Sequence, residues 1–486
     1  HGNQAKQGGR LTKEHSRTTS YTFNQLLTWT RSFDQHNFDV LFGHEFYELK
    51  YSYMAAAKTN LVDGILELRP GTTLQEADSY SQLYRVNSWL GRFNYNYADR
   101  YYFSASLRSD ASSRFHVDNN KGTFWSLGAS WRMSQENFMK NIKWIDNMTF
   151  KISYGEQGND NLDTYYAWQS LYNLSYSNAD QVGGVIASLE TKDISWEKNG
   201  NLNIGLEGSF LNNRIKASIE FYTRKTTNML LSYPMATSTG FDGYNANVGD
   251  MRNSGWEFTV TGTPIQTKDL RWNITWMGAT TKNKVLKLTA ETPEIIKGIY
   301  SIKEGQELNT FYMAKSAGVD PSNGQQLYWA FETDEEGNKI EGTEYVTSDR
   351  TKALSSKYYL GSRIPTLYGS ISTDLTFKGF DLSVLTTYSI GGKVYDSLYS
   401  GSMNVLYVNN TWNRNALRRW QQPGDVTDVP RIEMGGTSIP TDRYLIDASY
   451  FAIKNITLGY TFPRHWMSKV GITGLRVYTS VDNLAL

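Results

Sequence analysis

Along most of the chain, apolar and polar residues alternate with a period of two. Leu367, Gly369, Ile371, Thr373, Leu375 and Phe377 interleave with Tyr368, Ser370, Ser372, Asp374 and Thr376. Past Lys378-Gly379, Phe380, Leu382 and Val384 interleave with Asp381 and Ser383. Successive side chains of a strand point to opposite faces, so this pattern predicts an antiparallel hairpin with one apolar and one polar face. Each arm is about ten residues, the length of a tilted strand that crosses a bilayer.

The pattern recurs at Thr18–Thr30, Phe38–Phe46, Trp89–Tyr97, Tyr101–Arg108, Trp125–Arg132, Met148–Tyr154, Leu202–Leu206, Ile215–Phe221, Trp256–Val260, Trp272–Trp276, Ala452–Tyr460 and Leu475–Val481. Less regular stretches lie at Glu307–Ala317 and Gln326–Phe331, which brings the total to about sixteen strands of the outer-membrane kind. Gln135–Asn147 carries Phe138, Met139, Ile142 and Ile145 at the spacing of one or two amphipathic helical turns. Long loops are expected at approximately 53–84, 156–194, 229–248, 332–364 and 391–447.

Numbered from the first strand, the odd connections are short turns such as Ala98-Asp99, Leu211–Asn213 and Lys378-Gly379, and nearly every even one is a long loop rich in Tyr, Asn and Gly. Short turns on one rim and long loops on the other are the periplasmic and extracellular sides of a bacterial outer-membrane barrel. A β-sandwich or propeller has no reason to sort its loops by parity. The expected fold class is all-β, a transmembrane antiparallel β-barrel, with residues 1–486 forming part of one barrel domain. By parity the last strand rises toward the outside, so a descending closing strand is expected beyond Leu486, and a chain opening at His1 without Met reads as part of something longer. A self-contained sixteen-stranded porin is the alternative on number alone.

Composition agrees with a membrane barrel. Hydrophobic residues are only 39% of the chain and mean hydropathy is −0.52, while aromatics reach 14%. No run approaches the roughly 18 apolar residues of a spanning helix, whereas a barrel hides its apolar content in every second position. Tyr and Trp settle at membrane interfaces. Cysteine is absent, which excludes disulfides and thiolate chemistry. Lys+Arg 49 against Asp+Glu 48 leaves a net charge of +1, so no electrostatic case for nucleic acid exists.

Several stretches are similar to the SusC/RagA family of TonB-dependent outer-membrane transporters. They are Ser153-Tyr154-Gly155-Glu156-Gln157-Gly158-Asn159, Trp196-Glu197-Lys198 leading to Asn203-Ile204-Gly205-Leu206, and Asn253-Ser254-Gly255-Trp256-Glu257. Arg363-Ile364-Pro365-Thr366-Leu367-Tyr368-Gly369, Arg419-Trp420-Gln421-Gln422-Pro423-Gly424-Asp425 with Val429-Pro430-Arg431, Ala448–Tyr460 and Ser480–Leu484 follow in the family's order. The resemblance covers the barrel from before its middle almost to its end. It implies a barrel of about 22 strands around a plug, with the plug and the TonB-contacting segment outside this chain. It further implies TonB-driven import of a large nutrient, typically an oligosaccharide or a peptide, beneath a SusD-like surface lipoprotein that acts as a lid.

Candidate chemistry is sparse. The six His residues form no two-His helical pattern, Gly391-Gly392-Lys393 lacks the earlier glycine of a phosphate loop, and no Gly-x-Ser-x-Gly elbow occurs, so no enzyme is expected. Asp334-Glu335-Glu336-Gly337-Asn338 reads as a surface turn. Asp160 and Asp163 are candidate ligands of a loop-bound Ca2+; otherwise no cofactor is expected. The informative clusters are aromatic: Tyr165, Tyr166, Trp168, Tyr172 and Tyr176 in one loop, and Tyr395, Tyr399, Tyr407 and Trp412 in another. Flat rings with nearby Asn and Gln suit sugars, whose C–H faces stack while hydroxyls hydrogen-bond. The competing assignment is that these rings pack the loops together or meet the lipoprotein. Trp420, Pro423 and Arg431 are expected to hold a loop's shape. Strand-end Trp89, Tyr101, Trp125 and Trp272 are expected at the lipid interface.

Overall fold

The computed structural model describes residues 8–179, 181–241, 243–290, 292–335, 338–403, 411–433 and 439–485. One sheet takes fourteen strands in chain order. We number them β1 (Arg10–Phe33), β2 (His36–Thr59), β3 (Thr73–Tyr97), β4 (Tyr101–Ser112), β5 (Lys121–Arg132), β6 (Ile145–Asn159) and β7 (Glu197–Phe210). The series continues with β8 (Ile215–Thr227), β9 (Asp250–Gln266), β10 (Leu270–Thr280), β11 (Leu367–Phe377), β12 (Phe380–Ile390), β13 (Tyr450–Thr461) and β14 (Arg476–Ala485). The short strand Lys282–Lys287 also pairs with β9.

The chain forms two compact units. The first comprises His1–Trp131, Ile152–Leu202 and Thr226–Val248, and the second Arg132–Lys151, Asn203–Lys225 and Gly249–Leu486. Within the first, β1 to β5 pair antiparallel with their sequence neighbours. Within the second, β9 to β14 do the same.

The hairpin expected around Lys378-Gly379 is β11–β12, paired from Leu367↔Ile390 to Phe377↔Phe380. Its turn residues Lys378 and Gly379 have φ of 45° and 92°, the left-handed pair that a two-residue hairpin turn requires. A side chain at Gly379 would also meet the Thr461 carbonyl at 2.7 Å.

Four sequence expectations are corrected. First, 53–84 is not one loop: β2 runs to Thr59 and β3 starts at Thr73, so the loop is only 60–72. The pairing there is sustained by Ser52–Ser81 (3.3 Å) and by Tyr80 against Tyr51 and Tyr53. Beyond the bilayer both strand faces meet water, so apolar alternation stops while the ladder continues. Second, Glu307–Ala317 and Gln326–Phe331 are not wall strands. They belong to two small sheets, one with strands 294–297, 300–303, 310–313 and 358–359, the other with 315–319, 326–330 and 345–347. Among the described residues the wall therefore has fourteen strands where about sixteen were expected, and losing a pair leaves the loop parity intact. Third, Gln135–Asn147 is not helical beyond a single 3-10 turn at Met133–Gln135, and β6 starts within it at Ile145. Fourth, the short-turn rule for odd connections fails at two of them, 133–144 and 462–475.

The other long loops contain structure of their own. A hairpin, Leu171–Asn178 with Gln181–Ser188, lies within 156–194, and Leu230–Pro234 pairs with Gly243–Asn247 within 229–248.

The buried apolar clusters are built mainly from loop residues, joined at the wall by Phe124 of β5. One cluster is Phe115, Phe124, Ala167, Ile194 and Trp196; another is Met403, Ala416, Val429 and Tyr444; a third is Ala314, Tyr328 and Ala353. The alternating apolar side chains of the strands are instead exposed, among them Trp89, Leu107, Leu127, Ile371 and Leu458. The opposite face of the first unit carries ion pairs, Arg92–Asp39 at 3.3 Å and Arg108–Glu45 at 2.8 Å. An exposed apolar face backed by a polar one suits lipid outside and water inside.

Candidate functional site

In the first unit Arg114 joins the loop aromatic Tyr165 to Tyr84 of β3. The sequence Ser112-Ser113-Arg114-Phe115 leaves the end of β4, and the Arg114 side chain is buried. Its guanidinium lies 4.7 Å from the Tyr84 ring centroid and 4.9 Å from that of Tyr165. The two rings stack with centroids 5.6 Å apart. Arg114 Nη1 donates to the Asp160 carbonyl (2.9 Å), Asn161 Oδ1 (3.1 Å) and the Leu162 carbonyl (3.3 Å). Asp160 Oδ2 accepts from the Tyr84 hydroxyl (2.8 Å) and from Ser112 Oγ (2.6 Å). Tyr84 stands outside the alternating, membrane-crossing stretch Trp89–Tyr97 of β3, and burial, followed by the adjacent Asp160 carboxylate, pushes its phenol well above the ordinary range.

The Tyr166 hydroxyl accepts from the Leu83 amide at 2.9 Å. Trp168 packs against the Phe115–Trp196 cluster and meets His116 edge-on at 5.1 Å. Tyr172 is 59% exposed on the 171–188 hairpin, and Tyr176 is exposed on the same strand. Trp196 donates its indole N–H to the Asn120 carbonyl (2.8 Å). Next to it, Glu197 Oε1 accepts from Asn159 and Asn199, and Oε2 from the Leu230 amide. The two family-like stretches 153–159 and 196–198 thus meet in one cluster. Asp163 is exposed, and among the described residues no three His, Asp or Glu side chains gather in a metal-holding group.

The second unit carries two loop assemblies. In one, Asp396 caps the short helix Ser397–Ser402 by accepting from the Tyr399 amide (2.8 Å). Tyr395 and Tyr399 then meet Tyr444 edge-on at 6.2 and 5.9 Å. The Tyr395 hydroxyl pairs with Ser400 Oγ, and the Tyr399 hydroxyl accepts from Asn415 Nδ2, both at 3.0 Å. Trp412 is 40% exposed, and Tyr407 lies outside the described residues.

The other assembly joins the Asp320–Gly324 turn to residues 420–431. Asp320 Oδ1 accepts from the Ser322 amide (2.8 Å) and hydroxyl (2.7 Å). Trp420 donates its indole N–H to the Pro321 carbonyl (3.0 Å), and Arg431 Nη1 donates to the Asn323 carbonyl (2.8 Å). Trp420 and Arg431 therefore hold the loop's shape as expected. Asp334 accepts from the Asn338 amide (2.7 Å), the surface turn foreseen there, with Glu336 and Gly337 outside the described residues.

The Ser322 hydrogen bonds hold the Asp320 carboxyl below its ordinary value. A lowered folded-state pKa contributes stability above the unfolded value and loses it as pH falls through the folded one. Amide exchange of Ser322 and Asn323 should therefore accelerate as pH drops below about 4, beyond the intrinsic pH trend, and should stay at the intrinsic trend in Asp320→Asn. Identical behaviour of the two proteins would refute this.

Five of the seven candidate aromatics, Tyr165, Tyr166, Trp168, Tyr395 and Tyr399, are thus engaged by neighbouring loop and strand residues, whereas Tyr172 and Trp412 are exposed. Sequence reasoning missed Arg114, Tyr84 and Tyr444. Tyr444 had a usable signal, the dense family-like stretch that follows it.

The family model described as "TonB dependent receptor-like, beta-barrel" matches residues 2–484. The chain is 28% identical to TonB-dependent receptor P3 of Formosa agariphila over 98% of its own length and 49% of that protein. It is 27% identical to TonB-dependent receptor SusC of Bacteroides thetaiotaomicron, over 95% of this chain and 46% of the relative. The structure of the RagAB peptide transporter superposes with a TM-score of 0.86 at 28% identity, covering 98% of this chain and 52% of that one. The chain spans about half the length of the relatives it matches.

Proposed function

Because this chain belongs to the TonB-dependent receptor-like β-barrel family of the bacterial outer membrane, we propose that its protein actively imports a large nutrient, most simply an oligosaccharide. Energy reaches it through TonB, and a SusD-like surface lipoprotein closes the outer side. The observation that carries this reading is the family match along the whole chain. The loop architecture supports it: packed aromatic cores on the long-loop side leave Tyr172 and Trp412 exposed for a ligand or for the lid. The other aromatics position these loops. No step requires covalent chemistry by this chain. A peptide substrate is the second reading, favoured by similarity to the RagAB peptide transporter.

Growth of a strain lacking the full-length gene, on a panel of single glycans and peptides, tests both. Loss of growth on one glycan is the expected result, and Tyr172→Ala or Trp412→Ala should then raise the half-saturating glycan concentration severalfold. Loss on peptides alone would transfer the assignment to the second reading. Normal growth on every member, with no redundant transporter expressed, would overturn import.

A further inference from the structure

Above the aromatic rim of the second unit, the outward face turns basic. β9 keeps one register against both β10 and Lys282–Lys287, from Met251↔Val285 to Gly262↔Ile274. Residues paired in this way share a face. Read from the top, that face carries Arg252 opposite Lys284, then Ser254 opposite Lys282, then Trp256, Phe258 and Trp276. Trp256 and Trp276 are 49% and 40% exposed, and Phe221 packs on Trp256 at 5.1 Å, so this is the apolar, lipid-facing row. Each same-face step is about 6.6 Å along the strand. Lys282 stands one step beyond Trp256, and the Arg252–Lys284 pair stands two.

The charges in this row are unbalanced. The neighbouring Lys225 is held by Asp250 at 3.4 Å. Among the described residues, no acidic side chain pairs with Arg252, Lys282 or Lys284, and all three are exposed. Like charges directly opposite each other destabilise a strand pair, and an anion seated among them removes that cost. Interfacial Trp marks where the hydrocarbon core gives way to headgroups, so these cations stand at phosphate level. The long-loop side is the outer one.

We propose that Arg252, Lys282 and Lys284 form a binding site for the phosphate of an anionic lipid in the outer leaflet. The Arg252 fork grips phosphate oxygens in bidentate fashion, and the two lysines act as point charges beside it. The acyl chains of the same lipid lie along Trp256, Phe258 and Trp276. A lipid is favoured over a soluble anion because the cations continue the lipid-facing row rather than the polar face.

The test uses the full-length protein in neutral detergent, titrated with phosphorylated lipid A, with the same lipid after dephosphorylation, and with inorganic phosphate. Retained lipid is read by native mass spectrometry. The parent should prefer the phosphorylated lipid by tenfold or more, and R252Q/K282Q/K284Q should lose that preference. The double variant K282R/K284R should keep it. If the triple variant fails to fold, as judged by heat-modifiable gel mobility, Lys282→Gln and Lys284→Gln alone should each weaken binding about fivefold. Undiminished preference in these variants would overturn the site. Equal retention of the dephosphorylated lipid by the parent would reduce it to an acyl groove, and full displacement by millimolar inorganic phosphate would make it a site for the free anion.

Discussion

Replacing Arg114 by alanine should dismantle the first loop cluster while leaving the strands beneath it paired. The buried guanidinium serves two carbonyls, one amide oxygen and two tyrosine rings. Hydrogen bonds from a charged donor are each worth about 1.5–3 kcal/mol, and a desolvated cation–ring contact adds about 2 kcal/mol. These do not sum, because the groups left behind relax together; a loss of about 3–5 kcal/mol in the cluster is expected. Hydrogen exchange across 160–168 should rise by two orders of magnitude or more, with exchange in the lower halves of β2 to β5 unchanged. Arg114→Lys should restore little, because an ammonium cannot present the planar fork to three oxygens while stacked against two rings. Unchanged exchange in the alanine variant, or full recovery with lysine, would refute the hub role.

Gly324→Val should have a comparable effect on the other unit. Gly324 has φ of 76°, a conformation that L side chains reach only at a cost of about 1–2 kcal/mol, and β-branched ones at more. A side chain there would also run into the Trp420 indole, and overpacking adds about 1–3 kcal/mol. The turn and the 420–431 segment should separate together, seen as faster tryptic cleavage after Arg418, Arg419 or Arg431. In a Trp420→Ala background the same substitution should cost clearly less, since only the backbone strain remains. Equal costs in both backgrounds would show that the indole does not press on the turn.

The wall was legible in the sequence wherever the bilayer imposed its alternation. The β11–β12 hairpin was found almost to the residue because its apolar positions meet lipid and its polar positions meet water. That signal ends at the membrane surface, which is why the upper halves of β2 and β3, around Ser52 and Ser81, read as loop. It also misleads where small loop sheets alternate for their own reasons, as at Gln326–Ala330, whose five residues are too short to span a bilayer. At Asp320–Gly324 the residue types Asp-Pro-Ser-Asn-Gly specify the turn locally. Arg114 was not legible. Its partners Tyr84, Asp160 and Tyr165 are distant in sequence, and a lone arginine in a polar loop carries no local mark of burial. Trp420 and Arg431 were placed correctly only because they stand in a dense family-like stretch.

The location of the buried clusters has a calorimetric consequence. In a soluble protein, melting the core and melting the sheet are one event, because the strands supply the core. Here Phe115–Trp196 and Met403–Tyr444 lie in the connections, and the apolar side chains of the strands are already matched by lipid. The heat-capacity increment of unfolding, which tracks newly hydrated apolar surface, therefore belongs mainly to the loops. They form cooperative blocks that melt while the wall stays in the membrane, and cold destabilisation reaches them first.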